Sequence, residues 1–499
     1  MGVSKCVFTF SLSALEDNSL LPERAKKLVL WDGVVSQIMS GFSSGPVLVA
    51  FALLLNASAF QLGVLASIPV FANLFQLFTV WFINRIKSRR KVCVLFSFLG
   101  RFPLLVLGLA CWFGEGSWLI YLLTGVLFVH NFVGAISGGS WTCWMHDLIP
   151  SHQLGRFFSK RIRWAQIVAI AVSFLTGYIL DHFTGQEMMQ WIFGGFFMLA
   201  GGLGMLSTFL LSQTYEPPVK EFPEFSLKEL TRPFLNSNFR TLISFTVLWN
   251  LASNFATPFF SVYLLSQLNY PVSSVLGLTV FAQMVTIVSL GFWGNYSDTF
   301  NNKAVLRVCV PLYMLSVIAW TYTTFPVAHS LTFPLLLIIH LMIGIANGGI
   351  SLAVGNIGLK LAPQKSGSVF LISMNMSNSL VAGFGPIISG MVAAYFALKD
   401  LSIGFSYTGP GLKEVIPLIS LQSWDFAFVF SVLLGILSLK TLIHIQEGES
   451  QQQYYLWGYI KAQLRRGKSR SHFKFRNSKS VLNASVYSDM EGPGKGQIT

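Results

Sequence analysis

Apolar segments of about twenty residues recur along the chain, separated by short clusters of glycine, proline and charged residues. A helix rises about 1.5 Å per residue and the hydrocarbon core of a bilayer is about 30 Å thick, so about 20 apolar residues cross it. The segments lack the alternating polar and apolar faces of soluble helices, and they are too long for the strands of a membrane β-barrel. The pattern therefore predicts an all-α integral membrane protein, because helices satisfy their backbone groups within lipid.

Breaks at glycine, proline and charge clusters divide the apolar length into twelve predicted transmembrane helices. These helices are Leu28–Leu55, Phe60–Ile83, Val92–Phe113, Trp118–Met145, Ile162–Phe183, Met188–Ser212, Thr241–Leu265, Val272–Tyr296, Ala304–Phe325, Leu331–Leu359, Val369–Leu398 and Trp424–Ile445. The predicted domains are a lead over 1–27, six-helix bundles over 28–212 and 241–446, a connector over 213–240, and a basic, partly disordered tail over 447–499.

Composition agrees with a membrane protein, since 53% of the residues are hydrophobic and only 11% are charged, against about a quarter in soluble domains. Of the 34 Lys and Arg residues, 31 fall on the side that holds both termini and two on the other. Cations in short loops stay cytoplasmic, so both termini are predicted to be cytoplasmic, with the protein in the plasma (inner) membrane. We interpret the net charge of +14 as contact with anionic lipid of the inner leaflet rather than with nucleic acid.

The second half of the chain repeats landmarks of the first at a nearly constant offset. Asp298, in G-N-Y-S-D-T-F-N-N-K, lies 214 positions after Asn84, in N-R-I-K-S-R-R-K. The motif D-L-I-P ending at Pro150 is matched by K-L-A-P ending at Pro363, 213 positions on. L-W-D at residues 30–32 meets L-W-N at residues 248–250. Two six-helix repeats are typical of secondary transporters.

At these residues the chain resembles the major facilitator superfamily, whose loop between the second and third helices has the form G-x-x-x-D-(R/K)-x-G-(R/K)-(R/K). The better copy here is the second, with Gly294, Asp298 and Lys303. In the first copy Asn84 replaces the usual aspartate, and Ser88 replaces the glycine one place out of register. The segment 144–161 resembles that of a bacterial branch of the superfamily.

The resemblance implies that these cytoplasmic loops gate the protein by pairing an acidic residue with basic groups and helix ends, which holds an outward-open state. Asp298 could act so in the second half, whereas the cations after Asn84 need another partner, for which Asp147 is a candidate. The alternative is that the cations only face lipid phosphates. The candidate gating residues are Asn84, Arg85, Arg89, Arg90, Asp147, Arg156, Gly294, Asp298 and Lys303.

Charged residues within predicted transmembrane helices are costly, which makes Arg101 and Asp32 informative. Arg101 either supplies a positive charge to a cavity, for an anionic substrate or a carboxylate, or locks two helices together. Asp32 could carry a coupling proton if burial favours its neutral form, or it could anchor a hydrogen bond between helices. The sequence leaves both alternatives open.

Neutral polar residues within the predicted helices are further candidates for the cavity. His130 and His340 suit a titrating role or a simple hydrogen bond. Asn250 and Asn254 lie one turn apart on one helix face and suit recognition of a polar solute or contact between helices. The remaining candidates are Asn131, Gln283 and Asn375.

The predicted function is a secondary active transporter that moves a small solute by alternating access, with the proton as a candidate coupling ion. No G-x-x-x-x-G-K-[ST] phosphate loop for ATP occurs, and the five cysteines form no metal or disulfide motif, so no cofactor, metal or enzyme activity is predicted. A monomer is expected. The alternative is a transporter-like sensor or scaffold that moves nothing and uses its basic tail as a partner site.

Overall fold

The computed structural model describes residues 21–114, 116–149, 151–183, 186–218, 227–323, 331–363, 367–409 and 412–447. Most of the predicted lead and nearly all of the predicted tail therefore lie outside the described residues. The transmembrane helices belong to one compact unit, residues 1–298 and 302–447. Residues 299–301 group with residues 448–499 in a second unit, of which only 299–301 are described.

The first half contains six spans, by which we mean the segments that cross from one end of the bundle to the other. Spans 1 to 6 are Leu21–Ser43 with Gly45–Leu54, Ala59–Ala72 continuing through Asn73–Leu77 to Phe78–Ile86, Arg89–Phe113, Trp118–Leu148, Ser151–His182 and Gln186–Ser212. Odd-numbered spans begin at what we call the proximal end and finish at the distal end.

The second half repeats this order after the connector, of which Leu227–Thr231 and Arg232–Leu235 form short helices. Spans 7 to 12 are Ser237–Ala256 with Phe259–Ser266, Val272–Phe300, Asn302–Trp320, Thr332–Leu361, Gly367–Tyr395 and Trp424–Ile443. The all-α fold class with two six-helix repeats is confirmed.

Eleven helices among the described residues are long and apolar enough to cross a membrane, and span 7 is the predicted segment missing from that set. Its first helix, Ser237–Ala256, carries Asn238, Arg240, Asn250 and Asn254, which lower its mean hydropathy. The helix then breaks at Thr257–Pro258 before Phe259–Ser266 begins. Span 7 is therefore a crossing made of two helices, one of them polar.

Two of the segments treated as loops in the sequence are mostly helical, and that expectation was wrong. Span 4 continues to Leu148 and span 5 begins at Ser151, so the turn within residues 144–161 is confined to two positions. Likewise, span 8 continues to Phe300 and span 9 begins at Asn302. The polar residues there belong to helix ends that extend beyond the apolar length of each span. A hydropathy pattern alone does not distinguish such polar helix ends from loops.

A β-hairpin that the sequence analysis did not predict connects spans 11 and 12 at the distal end. Its strands, β1 (Asp400–Gly409) and β2 (Leu412–Gln422), pair antiparallel with an irregularity between Ile403 and Gly404. The signal in the sequence is G-P-G at residues 409–411 between runs rich in β-branched and aromatic residues.

The two halves contact each other closely towards the distal end through spans 2 and 11. A Cβ atom at Gly63 would overlap the carbonyl oxygen of Pro386, and one at Gly390 would overlap the carbonyl oxygen of Ala59. Only glycine permits this backbone-on-backbone approach, as in other closely packed membrane helices. We call this contact the glycine seam.

Spans 5 and 8 also join the halves distally. The Asp181 carboxylate accepts hydrogen bonds from the backbone N–H groups of Val272, at 2.8 Å, and Ser273, at 3.0 Å. A carboxylate at a helix N-terminus compensates the partial positive charge of the unsatisfied N–H groups. Gly177 lies against the backbone of Ser273, which lets the two spans approach. The distal end is closed by side-chain and backbone contacts alike.

Candidate functional site

A cavity of about 650 Å³ lies between the two halves and is lined by spans 1, 2, 4, 7, 8 and 10. Its polar lining comes from both halves: Ser40, Ser43, Ser44, His130, Asn131, Thr257, Ser261, Thr279, Gln283, Thr286, His340 and Asn347. No Asp, Glu, Lys or Arg is among the described residues that line it. This space, which we call the central cavity, is therefore polar without formal charge, apart from the two histidines.

Two broken helices meet at the central cavity. Span 1 breaks at Gly45, whose φ of 61° is left-handed, and the next helix starts with Pro46 in its first turn. Span 7 breaks at Thr257–Pro258, so the first span of each half is interrupted beside a proline. Interrupted helices in corresponding positions of the two halves mark the binding sites of many transporters.

Both cavity histidines are held by one ring nitrogen. Nδ1 of His130 donates to the carbonyl oxygen of Gly100 at 2.8 Å, and Nδ1 of His340 donates to that of Leu336 at 2.8 Å. Nδ2 of Asn131 donates to the carbonyl oxygen of Leu127 at 2.8 Å. These bonds fix the two rings and the amide. The hydrogen-bonding capacity that remains lies on Nε2 of each histidine and on Oδ1 of Asn131.

A second cavity, of about 570 Å³, lies within the first half and shares His130 and Asn131 with the central cavity. It contains the charged residues Asp32, Arg101 and Arg161. We call it the charged chamber. Because the two cavities have lining residues in common, a change of charge in the charged chamber takes place next to any solute in the central cavity.

Asp32 joins three spans in the charged chamber. Its Oδ1 accepts a 2.5 Å hydrogen bond from Ser207 of span 6 and a longer bond, 3.4 Å, from Ser36. Its Oδ2 lies 3.3 Å from Nη2 of Arg161 in span 5, and this pair was not predicted. Asp32 is 3% exposed and the Arg161 side chain 21%, so the ion pair is partly buried and the carboxylate depends on its partners.

Arg101 is connected to Asp32 through hydroxyl groups. Its Nη1 donates to the carbonyl oxygen of Gly204 at 3.0 Å and to Ser207 and Thr208 at 2.9 Å each. Its Nη2 lies 3.4 Å from Ser36. Ser207 and Ser36 thus bridge the guanidinium and the carboxylate. Arg101 thus lines the charged chamber and ties span 3 to span 6, while its role towards a substrate stays a prediction.

Three predicted residues line neither cavity. Asn250 and Asn254 share one face of span 7, as expected, but each donates from Nδ2 to a carbonyl oxygen four residues earlier, at 2.7 and 2.9 Å. Asn375 lies in span 11, outside the lining of both spaces. By contrast, Gln283 and His340 do line the central cavity.

At the proximal end of the first half, Arg89 donates to the carboxylate of Asp147, and this is the contact that the sequence analysis suggested. Lys87 takes a left-handed conformation with φ of 56°, and Ser88 then caps span 3. Glu216, which follows span 6, accepts 2.6 Å hydrogen bonds from the hydroxyl of Ser88 and the backbone N–H of Arg89. A carboxylate therefore does cap span 3, but it comes from the residues that follow span 6, the last span of the first half.

The second half has the equivalent arrangement at its proximal end. Glu447, which follows span 12, accepts hydrogen bonds from the backbone N–H of Asn302, at 3.1 Å, and of Lys303, at 2.7 Å. It also lies 3.4 Å from Nζ of Lys360. Asp298 lines a small proximal cavity and has no ion pair among the described residues. Its predicted role concerns an outward-open state and stays a prediction.

The other gating candidates occupy helix ends at the same face. Asn84 and Arg85 lie in the last turns of span 2, and Arg90 reaches the carbonyl oxygen of Thr214 at 3.4 Å. Gly294 lies within span 8. Arg156 lies within span 5, and its side chain is outside the described part.

Sequence reasoning missed four residues that organise the site: Ser207, Arg161, Glu216 and Glu447. Arg161 was counted only as a cytoplasmic cation, although it reaches Asp32. Glu216 and Glu447 had a usable signal, because each is an acidic residue just beyond the last span of its half.

A sequence profile described as the Major Facilitator Superfamily matches residues 33–386, which is more than half of the chain. No curated protein matches the chain in sequence. Similar folds occur in the nucleoside transporter NupG (TM-score 0.63, 14% identity, covering 86% of this chain and 100% of that one). A bacterial homologue of the iron transporter ferroportin in an inward-facing state gives a TM-score of 0.57 at 13% identity, covering 86% of this chain and 99% of that one.

The xylose transporter XylE from E. coli has a TM-score of 0.56 at 12% identity, covering 86% of this chain and 97% of that chain. At such identities the solved structures speak to fold alone. Together with the eleven apolar helices and the profile match, they identify the chain as a multi-pass membrane protein that belongs to the major facilitator superfamily of transporters.

Proposed function

We propose that the protein is a secondary active transporter that moves a small solute through the central cavity by alternating access. The observation that carries this proposal is a cavity lined by both halves and closed distally by the glycine seam and Asp181. Rocking of the two halves about such a midplane site opens it to each face in turn.

The excess of Lys and Arg at the proximal end supports a cytoplasmic location for that end, and hence for both termini, in the inner membrane. The described state is then inward-facing, since its distal contacts are closed. Labelling of single cysteines with a membrane-impermeant maleimide tests this orientation. A cysteine at Leu398, which is fully exposed distally, is expected to react from outside the cell. If this cysteine reacted only with reagent on the cytoplasmic side, the orientation of the protein would be the opposite of the one proposed.

Asp32 is the proposed site of the coupling proton. It is buried, and it connects spans 1, 5 and 6 through Arg161 and Ser207. The titratable or charged groups that share its chamber are Arg101, Arg161, His130 and Cys93. Protonation of the carboxylate removes the charge that Arg161 faces, which is a partial release of span 5 from span 1, because Nε of Arg161 keeps its 3.3 Å hydrogen bond to the carbonyl oxygen of Val29. Because span 5 also carries Asp181, this release reaches the distal contact with span 8.

Electron–electron distance measurements between two spin labels test alternating access without a known solute. Labels at Phe113 and Leu398, which are 82% and 100% exposed, mark the distal ends of the two halves in a cysteine-free background. We expect two distance populations, one with the distal end closed and one with it open. A single distance in lipid would contradict rocking of the halves.

The Gly63→Ala variant sharpens this test, because its methyl group overlaps the Pro386 carbonyl only while the distal end is closed. The population with the longer distal distance is expected to grow. Leu65→Val, on the same helix but within the cavity wall, is the matched control and is expected to leave the ratio near that of the parent. Equal ratios in Gly63→Ala and the parent would show that the seam does not close the distal end.

A further inference from the structure

We infer that the solute of the central cavity is an uncharged molecule that carries several hydroxyl groups. This inference rests on the proposed transport function and deepens it, because it names the chemical class that the lining accepts. It is argued from the charge, the free hydrogen-bonding groups and the walls of the cavity.

A charged solute finds no counter-ion in the central cavity. Among the described residues that line it, none is Asp, Glu, Lys or Arg, and the imidazoles of His130 and His340 are the titratable groups. An ion transferred from water to such a site loses its hydration without gaining an ionic partner. The lining therefore favours neutral solutes.

The nearby charges of the charged chamber are already engaged with one another. Arg161 faces Asp32, and Arg101 is bonded to Gly204, Ser207 and Thr208. Neither arginine lines the central cavity. An anionic solute would have to displace these internal partners to reach a guanidinium, so the geometry assigns both arginines to the internal network rather than to the solute.

Two amides offer unused hydrogen-bonding capacity to the cavity. Among the described residues, no hydrogen bond engages the side chains of Gln283 in span 8 and Asn347 in span 10, and both line the cavity. From the first half, the bonds already made leave Oδ1 of Asn131 and Nε2 of His130. An amide presents a donor beside an acceptor, and a hydroxyl group both donates and accepts, so the two are complementary.

Apolar side chains form the rest of the wall, including Leu48, Leu65, Phe260 and Ile343. A cavity of about 650 Å³ lies within the range of about 300–1,000 Å³ typical of small-molecule sites. A compact solute with polar groups at its edges and an apolar ring face fits both parts of the lining. Neutral sugars and neutral nucleosides both have this chemistry.

The test is counterflow in proteoliposomes of the full-length protein with matched neutral and anionic solutes. The pairs are D-glucose with glucose 6-phosphate, D-xylose with xylose 5-phosphate, and uridine with uridine 5′-monophosphate; the sugar and nucleoside arms separate the two sources of the chemistry. We expect exchange of at least one neutral solute, with its phosphorylated partner at least about 100-fold weaker, as a desolvated charge implies. Equal or stronger exchange of the anion, or no exchange of any neutral solute, would overturn the inference.

Variants of the two amides locate the contact. Gln283→Leu and Asn347→Leu are each expected to weaken exchange of the neutral solute about tenfold, the effect of one lost hydrogen bond. Met284→Leu, at a half-exposed position beside Gln283 that does not line the cavity, is the control and should exchange as the parent does. Parental exchange in both amide variants would overturn the assignment. The spin-label distances are read without any solute, so failure of the inference stays distinct from failure of alternating access.

Discussion

Arg101 in the first half and Met314 in the second occupy equivalent places, 213 positions apart. The Arg101 side chain lies against Gly204, and the Met314 side chain lies against Gly435, which is 231 positions after Gly204. The halves therefore share the packing of their third and sixth spans down to the glycine. One half fills the site with a guanidinium and the other with a thioether.

The proximal ends show the opposite relation, since both halves keep the same chemistry. Glu216 caps span 3 and Glu447 caps span 9, and these carboxylates are also 231 positions apart. Helix N-termini need partners for their N–H groups wherever the helix is used, so a cap is retained in both halves. A charge within a span is costly, and the first half carries Asp32 and Arg101 where the equivalent positions of the second half hold Asn250 and Met314. The comparison separates a shared frame from chemistry confined to one half.

The largest expected effect follows from removing the charge of Asp32. Asp32→Asn should reduce proton-driven accumulation of solute at least about 100-fold, because the carboxylate that takes the proton is gone, while exchange without a gradient continues. Asn250→Ser, at the repeat-equivalent position, should leave accumulation within about threefold of the parent, as a neutral surface-like change does. Uptake with and without an imposed proton gradient checks both. If Asp32→Asn accumulated solute in a proton gradient as the parent does, Asp32 would not be the coupling residue.

Exchanging the equivalent residues should have the next largest effect. Met314→Arg places a cation against Gly435 in a half where the neutral Asn250 takes the position of Asp32, at a cost of about 2.5–3.5 kcal/mol. Thermal unfolding in detergent should show a clear drop in midpoint. Arg101→Met leaves Asp32 with Arg161 and should lower the midpoint less. A smaller drop for Met314→Arg than for Arg101→Met would contradict the asymmetry.

Removing either proximal cap should cost a similar, smaller amount. Glu216→Gln and Glu447→Gln each replace a charged acceptor at a helix N-terminus, with an expected loss of about 1–2 kcal/mol in the free energy of unfolding. The same thermal assay measures both. Glu229→Gln, in the connector, removes an exposed carboxylate and serves as the control. A loss of stability in only one of the two variants would contradict the proposal that both halves depend on the same kind of cap.

The smallest effect is expected at the distal contact. Asp181→Asn weakens a charged cap on span 8 by about 0.3–1 kcal/mol, which shifts a two-state equilibrium about two- to fivefold towards the distally open form. The ratio of the two spin-label distances between residues 113 and 398 reports this shift. An increase in the closed population would show that Asp181 does not hold the distal end.

The fold was predictable because it depends on long, repeated features, namely the apolar lengths and the offset of about 213 positions between motifs. Polar residues within apolar segments were the usable signal for the cavities, since Asp32 and Arg101 line the charged chamber and Gln283 and His340 line the central cavity, while their functional roles stay predictions. Asn250 and Asn375 failed to line a cavity because the rotation of a helix is set by its neighbours, which a hydropathy pattern does not encode. The Pro46 and Pro258 breaks were readable, since interrupted helices in the first span of each half indicate a site, but a single proline also occurs inside unbroken span 3.

The pairing of Gly63 with Pro386 and of Gly390 with Ala59 has a consequence for the speed of transport. At these two pairs backbone lies against backbone, so they part without a side chain having to change its rotamer. The remaining barrier to separating spans 2 and 11 then lies where side chains do meet, as at the rings of Phe71 and Phe384, whose centroids are 5.2 Å apart. Bulkier residues in place of the two glycines would interlock, so side chains would have to change rotamer before the two spans could separate.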